Sequence, residues 1–391
     1  MNIVHLCLNG PYTDGWGYQE NLIPKYHKKM GHSVTVITNN MKHSEINGEI
    51  INTECGKYFS KEGIQVFRLK KSKFLTTKLT DAFTYYKIYN LLCEIKPDFI
   101  MVHGLGSISA LQVLKYARKV NSNCVVVADN HQDYFNSKVK GGIKFSIFVL
   151  VLKFINQLTQ KCYRKVYGIT PECMQFAKDF YGINKNKLEL LPLGADIDLI
   201  NSNNTEATRM HIRKKYNIDN SDLMIVTGGK LDERKNTHVL MNAVSNLKNK
   251  NLKVIVFGIP TSVEYYKILQ NIQQRSPDNI KLIGLLSIDQ IYQLYSSADV
   301  ALFPGTQSAL WQQAIASGLP LIIKKWNGLE YLDLGGNVIF LEKPNEKEIE
   351  TLLNTLLENK SILKHMKDVA STEGVKFFSY EEIAKKVITL D

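Results

Sequence analysis

The sequence predicts an α/β protein built from two doubly wound domains. Three observations carry that reading. Short apolar strands alternate with helices in two successive series, the alternation breaks once near Leu190–Asp196, and 391 residues at roughly 150 per domain leave room for two cores of similar size.

The first series opens with a strand at Ile3–Leu8, a glycine-containing loop, a helix over Tyr18–Met30 and a strand at Ser33–Ile37. Gly31 stands where a helix C-terminus wants positive φ, so helix, stop and strand follow in βαβ order. Strands at Phe99–Val102 and Cys124–Ala128 continue the series, each short, apolar and bounded by turn residues. After the break, a polar stretch from Asn201 to Thr208 leads into strands at Leu223–Thr227, Leu252–Phe257, Ile280–Ile283, Val300–Phe303 and Pro320–Ile323. Helices over Thr237–Asn249, Ser287–Ser296 and Ser308–Ser317 fill the gaps, and the tail from Asn345 to Asp391 is helical in pattern. Domains are expected at 1–195 and 196–375, followed by a helix over 376–391 that packs back on the first domain. Ligands of open α/β sheets bind at the carboxyl ends of the strands, so function is expected in a cleft between two facing domains.

Composition narrows the classes. Apolar residues at 44% and charged residues at 22% are ordinary globular usage, which removes disorder and coiled coil. The longest apolar run, Phe145–Ile155, is about eleven residues and contains Lys153, whereas a membrane span needs about twenty. The N-terminus reads as a buried strand rather than an export signal, and the protein is expected in the cytoplasm. Cys7, Cys55, Cys93, Cys124, Cys162 and Cys173 lie far apart, with no metal or redox spacing, and are expected as reduced core thiols. The net charge of +12 attracts anions: phosphate ligands, acidic lipid or nucleic acid. Nucleic acid is disfavoured, because neither an aromatic and basic surface nor a reading helix is evident.

Three segments and a few isolated residues carry candidate chemistry. In Asn9–Asn21, Gly15 and Gly17 make a G-x-G without the third glycine of the dinucleotide fingerprint, where Glu20 stands instead. A nicotinamide enzyme is disfavoured; the loop serves either as a plain turn or as a close backbone approach to an anionic or sugar ligand. Thr227–Asn236 follows the first strand of the second series, so Lys230 and Lys235 can converge on a diphosphate, the alternative being a solvated charge run. In Phe303–Pro320, Ser308 can cap a helix whose free N–H groups hold phosphate oxygens, and Gln312 and Gln313 offer donors and acceptors to hydroxyls. Of the histidines, His103 reads as a structural or surface group, while His131 lies in a polar loop at a strand's carboxyl end. Asp196 and Asp198 form a D-x-D in the interdomain segment, read as hinge chemistry.

Over essentially the whole chain the sequence resembles the retaining GT-B nucleotide-sugar glycosyltransferases of family 4, glycosyl transferases group 1. The resemblance rests on Gly15 and Gly17, Gly31–Val34 for G-H-x-V, Leu193–Asp196 for N-G-V-D, Gly229–Lys235 for G-R-L-x-x-x-K, Ser297–Val300, and Gln313–Gly318 for E-A-M-A-x-G. It implies two Rossmann-like domains, the second binding a nucleotide sugar and the first its acceptor. By that resemblance His131, Lys230 and Lys235 are catalytic, with His131 over the donor sugar. Gly15, Gly17, Gly229, Thr306, Gln307, Ser308, Ala309 and Gln313 contact the donor, and Tyr18, Gln19 and Asp133 the acceptor. The implied donor is a UDP-sugar, without metal or resident cofactor, and the acceptor a glycan or lipid-linked glycan of bacterial envelope, capsule or O-antigen synthesis.

Two departures stand out. Gln313 replaces the second of two family glutamates with no acidic residue at the first, and Lys230 replaces an arginine, keeping charge but losing the bidentate fork. They leave open a second reading, a catalytically silent GT-B protein acting as partner or regulator. Finally, the stretch from Val139 to Ile155, continuing to Lys161, Arg164 and Lys165, mixes cations with bulky apolar groups. It reads either as a core helix with a basic edge or as a helix in peripheral contact with an anionic membrane at its inner face.

Overall fold

The computed structural model describes residues 1–44, 49–72, 84–137 and 142–390, apart from the side chain of Lys144. Val139, Lys140 and Gly141 of the basic apolar stretch lie outside the described residues. The chain divides into two compact units, Met1–Pro192 together with Ile383–Asp391, and Leu193–Glu382.

The strands of the first unit are β1 (Asn2–Cys7), β2 (Ser33–Asn39), β3 (Met41–His43), β4 (Ile50–Asn52), β5 (Gly56–Phe59), β6 (Gln65–Leu69), β7 (Phe99–His103), β8 (Val125–Asn130), β9 (Tyr163–Gly168) and β10 (Leu188–Leu190). Eight form one sheet in the order β10-β9-β8-β7-β1-β2-β6-β5, while β3 and β4 pair as a separate antiparallel ribbon. Every pairing in the large sheet is parallel except β5 with β6 at the edge. Burial on both faces explains why β1, β2, β7 and β8 read as continuous apolar runs. The helix Gln19–Lys29 follows β1, and Gly31 with φ +86° ends its turn so that β2 can start at once. Val4, Ile100, Val126 and Val166 of the sheet pack with Val113, Tyr116, Leu152 and Phe176 of the helices in one core.

The second unit holds β11 (Leu223–Leu231), β12 (Leu252–Pro260), β13 (Ile280–Leu282), β14 (Val300–Phe303), β15 (Leu321–Lys324) and β16 (Val338–Leu341). They make one parallel sheet in the order β13-β12-β11-β14-β15-β16. The helix Glu206–Lys215 is anchored under it by Arg213, whose buried guanidinium donates to the carbonyls of Ser297, Asp219 and Asp222 and to Asp299.

Several expectations need correction. Cys55, expected in the core, is exposed between β4 and β5, and Cys93 and Cys162 are half-buried; Cys7, Cys124 and Cys173 are buried, and all six are free. The helix expected over Ser308–Ser317 begins only at Leu310, capped by Ala309 without a side-chain bond. Ser308 Oγ instead accepts the Leu310 N–H at 3.4 Å. The last helix runs over Tyr380–Thr389, shorter than the expected 376–391. Its end belongs to the first unit, where Lys386 pairs with Glu189 at 2.8 Å.

Candidate active site

In each sheet the strand order reverses about its first strand, β1 between β7 and β2 and β11 between β12 and β14, and the crevice at such a reversal is where doubly wound sheets take ligands. The sequence candidates cluster at both places, and the two places differ in chemistry.

In the first unit a cavity of about 560 Å³ opens beyond the carboxyl ends of β1, β7 and β8. One wall is polar, with Asn9, Glu20, His131 and Gln132; the other is apolar, with Phe145, Phe148, Leu152, Phe176 and Phe180. Beneath it lies Asp129, fully buried at the end of β8. Its Oδ2 accepts from His103 Nδ1 at 2.7 Å and Gln19 Nε2 at 3.1 Å and lies 3.4 Å from His131 Nε2, while Oδ1 accepts the Gly104 N–H at 2.9 Å. Burial alone works against ionisation, but His103 and His131 hold the Asp129 carboxyl far below the usual carboxylate range. The same pair acts on His131. Burial disfavours its imidazolium, yet the Asp129 carboxylate, and Glu20 with Oε1 3.9 Å from Nδ1, outweigh that and push it up to about 9. At neutral pH His131 is therefore a cation at the cavity rim, able to donate to an anionic or hydroxyl oxygen.

The other candidates of this unit are placed variously. Tyr18, exposed, caps the helix Gln19–Lys29 and lines the cavity. Gln19, expected against the acceptor, is buried and commits its Nε2 to Asp129, leaving Oε1 buried without a partner. Asp133 turns back on its own loop, accepting the N–H groups of Phe135 and Asn136. Gly15 takes φ +74°, which favours glycine, whereas a Cβ at Gly17 would meet nothing within 4 Å. Neither glycine lines the cavity.

In the second unit the segments after β11 and β14 interlock. Lys235 Nζ donates to the carbonyls of Thr306 at 2.9 Å and Gln307 at 2.6 Å, and the Thr306 N–H returns a bond to Arg234 O at 3.0 Å. Asn236, in the left-handed region at φ 53°, donates to Pro304 O at 3.2 Å. Close approach explains Gly305: a Cβ there would lie 2.3 Å from Arg234 O. Gly229, with φ +104°, abuts Leu310, whose Cδ1 would stand 3.0 Å from an added Cβ. Thus Gly229, Lys235, Thr306 and Gln307 form one cradle, with Lys230 exposed at its edge on β11. Burial lowers the Lys235 ammonium from its usual value. Its neighbour Asp232 is engaged by Arg234 at 2.9 Å, so Lys235 faces carbonyls rather than a paired carboxylate. On the helix Leu310–Ala316, Gln313 Oε1 is buried without a partner, and Gln312 donates to Tyr331 while its own Oε1 is likewise unpartnered.

The sequence pattern does not single out Asp129, His5 and His27 as site residues, and it presents His103 as a structural or surface group. A signal existed, since a histidine inside the apolar run of β1 and an aspartate ending that of β8 are polar groups where only a partner keeps them. Asp196 and Asp198 supply no clamp: Asp196 caps the helix Ile197–Asn203 by accepting the Asp198 N–H. Among the described residues no group of three His, Cys, Asp or Glu is arranged to hold a metal ion, and no helix is long and apolar enough to cross a membrane.

Comparison with known proteins agrees with this geometry. The model for glycosyl transferases group 1 matches residues 208–372, the stretch that carries the cradle of the second unit. The D-inositol 3-phosphate glycosyltransferase of Corynebacterium glutamicum (strain R) is 24% identical over 234 residues, which are 56% of this chain; the match spans about half the length of that relative, 55%. Among solved structures, HepE of Anabaena in complex with UDP superposes with a TM-score of 0.67 at 14% identity, covering 100% of this chain and 99% of that one. A glycosyltransferase from Rickettsia africae ESF-5 gives 0.67 at 15%, covering 100% and 97%, and WaaG, a glycosyltransferase involved in lipopolysaccharide biosynthesis, gives 0.58 at 16%, covering 100% of each. The fold is GT-B, two Rossmann-like units each built on a parallel sheet.

Proposed function

We propose that this protein is a retaining glycosyltransferase that moves a sugar from a nucleotide sugar, UDP-linked, to a glycan or lipid-linked acceptor of bacterial envelope polysaccharide synthesis. The observation that carries the reading is the cradle of Gly229, Lys235, Thr306 and Gln307 at the strand-order reversal of the second unit. A partly buried ammonium beside glycine backbone suits a diphosphate, and the unpartnered Gln313 Oε1 suits a ribose hydroxyl that needs an acceptor. The match of residues 208–372 and the UDP named for the Anabaena neighbour support the same donor class. In this reading Lys230 and Lys235 neutralise the departing diphosphate, with the backbone at Ser308 and Ala309 beside it, so transfer needs no metal. The acceptor's polar end lies beside Tyr18, His131 stands at the cavity rim next to the reacting sugar, and an apolar portion of the acceptor runs along Phe145, Phe148 and Phe176 of the cavity wall.

For the acceptor to be lipid-linked, the protein works at the inner face of a membrane. Support comes from the helix Ile143–Thr159, whose Ile143, Ile147, Leu150 and Phe154 are 81%, 51%, 64% and 61% exposed at i, i+4, i+7 and i+11, while Leu152 and Ile155 on the other side are buried in the core. Lys165 takes no part in such contact, being held by Glu189 at 2.7 Å and by Leu390 O. Flotation with phosphatidylglycerol vesicles tests the contact, and a double change Leu150→Ser with Phe154→Ser abolishes it; equal flotation of both proteins removes the membrane from the proposal.

The activity itself is tested by melting the purified chain with UDP-, ADP- and GDP-linked sugars and following nucleotide release. Stabilisation and slow hydrolysis with a UDP-sugar are expected, and indifference to every nucleotide sugar overturns the reading. Gln313 in place of the family glutamate favours the second reading, a silent GT-B partner protein, whose signature is stabilisation without any turnover.

A further inference from the structure

Behind the Asp129 carboxylate runs a line of three imidazoles that the proposed transfer does not use. His5 on β1, His27 on the helix Gln19–Lys29 and His103 on β7 are all buried. Ala384 O lies 2.8 Å from His27 Nε2, His27 Nδ1 lies 3.0 Å from His5 Nε2, His5 Nδ1 lies 3.1 Å from His103 Nε2, and His103 Nδ1 lies 2.7 Å from Asp129 Oδ2. The rings of His5 and His103 stack at 5.4 Å, those of His5 and His27 meet at 5.2 Å.

Proton counting makes this line unusual. Each of its four contacts needs one N–H, and both ends, the Ala384 carbonyl and the Asp129 carboxylate, can only accept. Three neutral imidazoles carry three N–H groups, one too few. We propose that the line holds one proton beyond the neutral complement, placed on His103 beside Asp129, and that His5 and His27 are positioning residues that keep it there. With His103 doubly protonated every contact is satisfied in one direction: His103 donates to Asp129 and to His5, His5 donates through Nε2 to His27, and His27 donates through Nε2 to Ala384 O. The opposite arrangement, a protonated Asp129, conflicts with its surroundings, because Gly104 N–H and Gln19 Nε2 also donate to that carboxylate. Burial keeps His5 and His27 below their ordinary value, in the neutral forms the arrangement requires.

The last helix thereby senses the charge pair under His131. Losing the extra proton breaks one link, leaving either the Ala384 carbonyl or one imidazole nitrogen buried without a partner. The titratable and charged groups around the line are Cys7 on β1, Glu20 on the same helix as His27, His32 with its ring 6.4 Å from that of His27, Asp129 and His131.

The test is a long-range proton–nitrogen NMR spectrum of the ¹⁵N-histidine-labelled full chain between pH 6 and 9. With the signals of His5, His27 and His103 assigned among the nine histidines by single substitution, one of these three imidazoles, in addition to His131, is expected with both nitrogens protonated and the other two neutral and protonated at Nε2 across neutral pH. Three neutral rings, or a ring protonated at Nδ1 alone, overturn the proposal, and this readout stands whether or not the chain transfers sugar. His27→Gln keeps one donor and one acceptor and retains the doubly protonated ring, whereas His27→Phe removes both and the doubly protonated signal of the line is lost at neutral pH. Equal spectra for the two variants reduce His27 to a packing role and sink the positioning claim.

Discussion

The two strand-order reversals are built on the same βα geometry and hold opposite electrostatics. In the first unit the charges answer one another: Asp129 is ringed by His103, His131, Gln19 and the Gly104 N–H, and Glu20 stands across from His131. In the second unit Lys235 hydrogen-bonds carbonyl oxygens, its nearby carboxylate Asp232 being taken by Arg234, with Lys230 exposed beside it. A compensated site suits a ligand that offers hydroxyls and needs proton positions fixed. A cation whose neighbouring carboxylate is paired elsewhere suits a ligand that brings its own negative charge. The difference matches the division between acceptor and donor in the proposed reaction.

The comparison breaks most sharply at Lys235. Lys235→Ala removes the charge and both carbonyl contacts, and donor-dependent turnover is expected to fall by about 10²–10³, the cost of one well-placed transition-state contact. Steady-state assays of nucleotide release measure it, with Arg234→Ala as the control because that guanidinium is exposed and engages only its neighbour Asp232. Equal losses in the two variants would show a general charge effect and no dedicated phosphate contact. Gly305→Ala attacks the same cradle without touching charge. Its Cβ would meet backbone at 2.3 Å, so strain of about 1–3 kcal/mol and weaker donor-induced stabilisation are expected. An unchanged donor response at Gly305→Ala would mean that the interlock of the two loops is irrelevant to the ligand.

The first unit is sharpened by pH. His131 is raised to about 9, so its contribution to stability is complete below the unfolded value near 6.5 and is lost as pH rises toward 9. His27 is lowered to about 4, so its contribution is complete above about 6.5 and is lost as pH falls toward 4. Stability should therefore peak near pH 6.5, and His131→Gln should flatten the basic limb by about 2 kcal/mol after allowance for partial solvent screening. Thermal melts across pH 5–9 measure both limbs. A basic limb unchanged in His131→Gln refutes the pairing with Asp129.

The strands at the centre of both sheets were legible because burial on two faces writes them as plain apolar runs, as in β1, β8 and β14. Several edges were not: β5 and β6 carry exposed or alternating residues, and the ribbon of β3 and β4 is half-buried or exposed, so nothing in their pattern separates them from loops. Lys230 and Lys235 could be read because their segment directly follows a predicted strand, whereas Gly229, which the fold places on β11, and Thr306 were indicated only by the family resemblance. The imidazole line could not, since His5, His27, His103, Asp129 and Ala384 come from five separate elements and only the fold brings them together. Sequence spacing reports neighbours along a chain; it is silent on contacts made across a sheet.

The smallest expected effect separates packing from function in the first loop. Gly15 needs its positive φ, so alanine there mixes backbone strain with any ligand effect. Gly17 does not: its φ is ordinary and an added Cβ meets nothing within 4 Å. Gly17→Ala should then alter stability by less than about 0.5 kcal/mol, as an unconstrained surface change does. If the loop lets a sugar or phosphate come close to its backbone, the added methyl occupies space that only the ligand claims, and KM for donor or acceptor rises while the melting temperature stays put. A variant identical to the parent in both measurements leaves the glycine as a turn residue and confines recognition in this unit to the cavity beyond β1, β7 and β8.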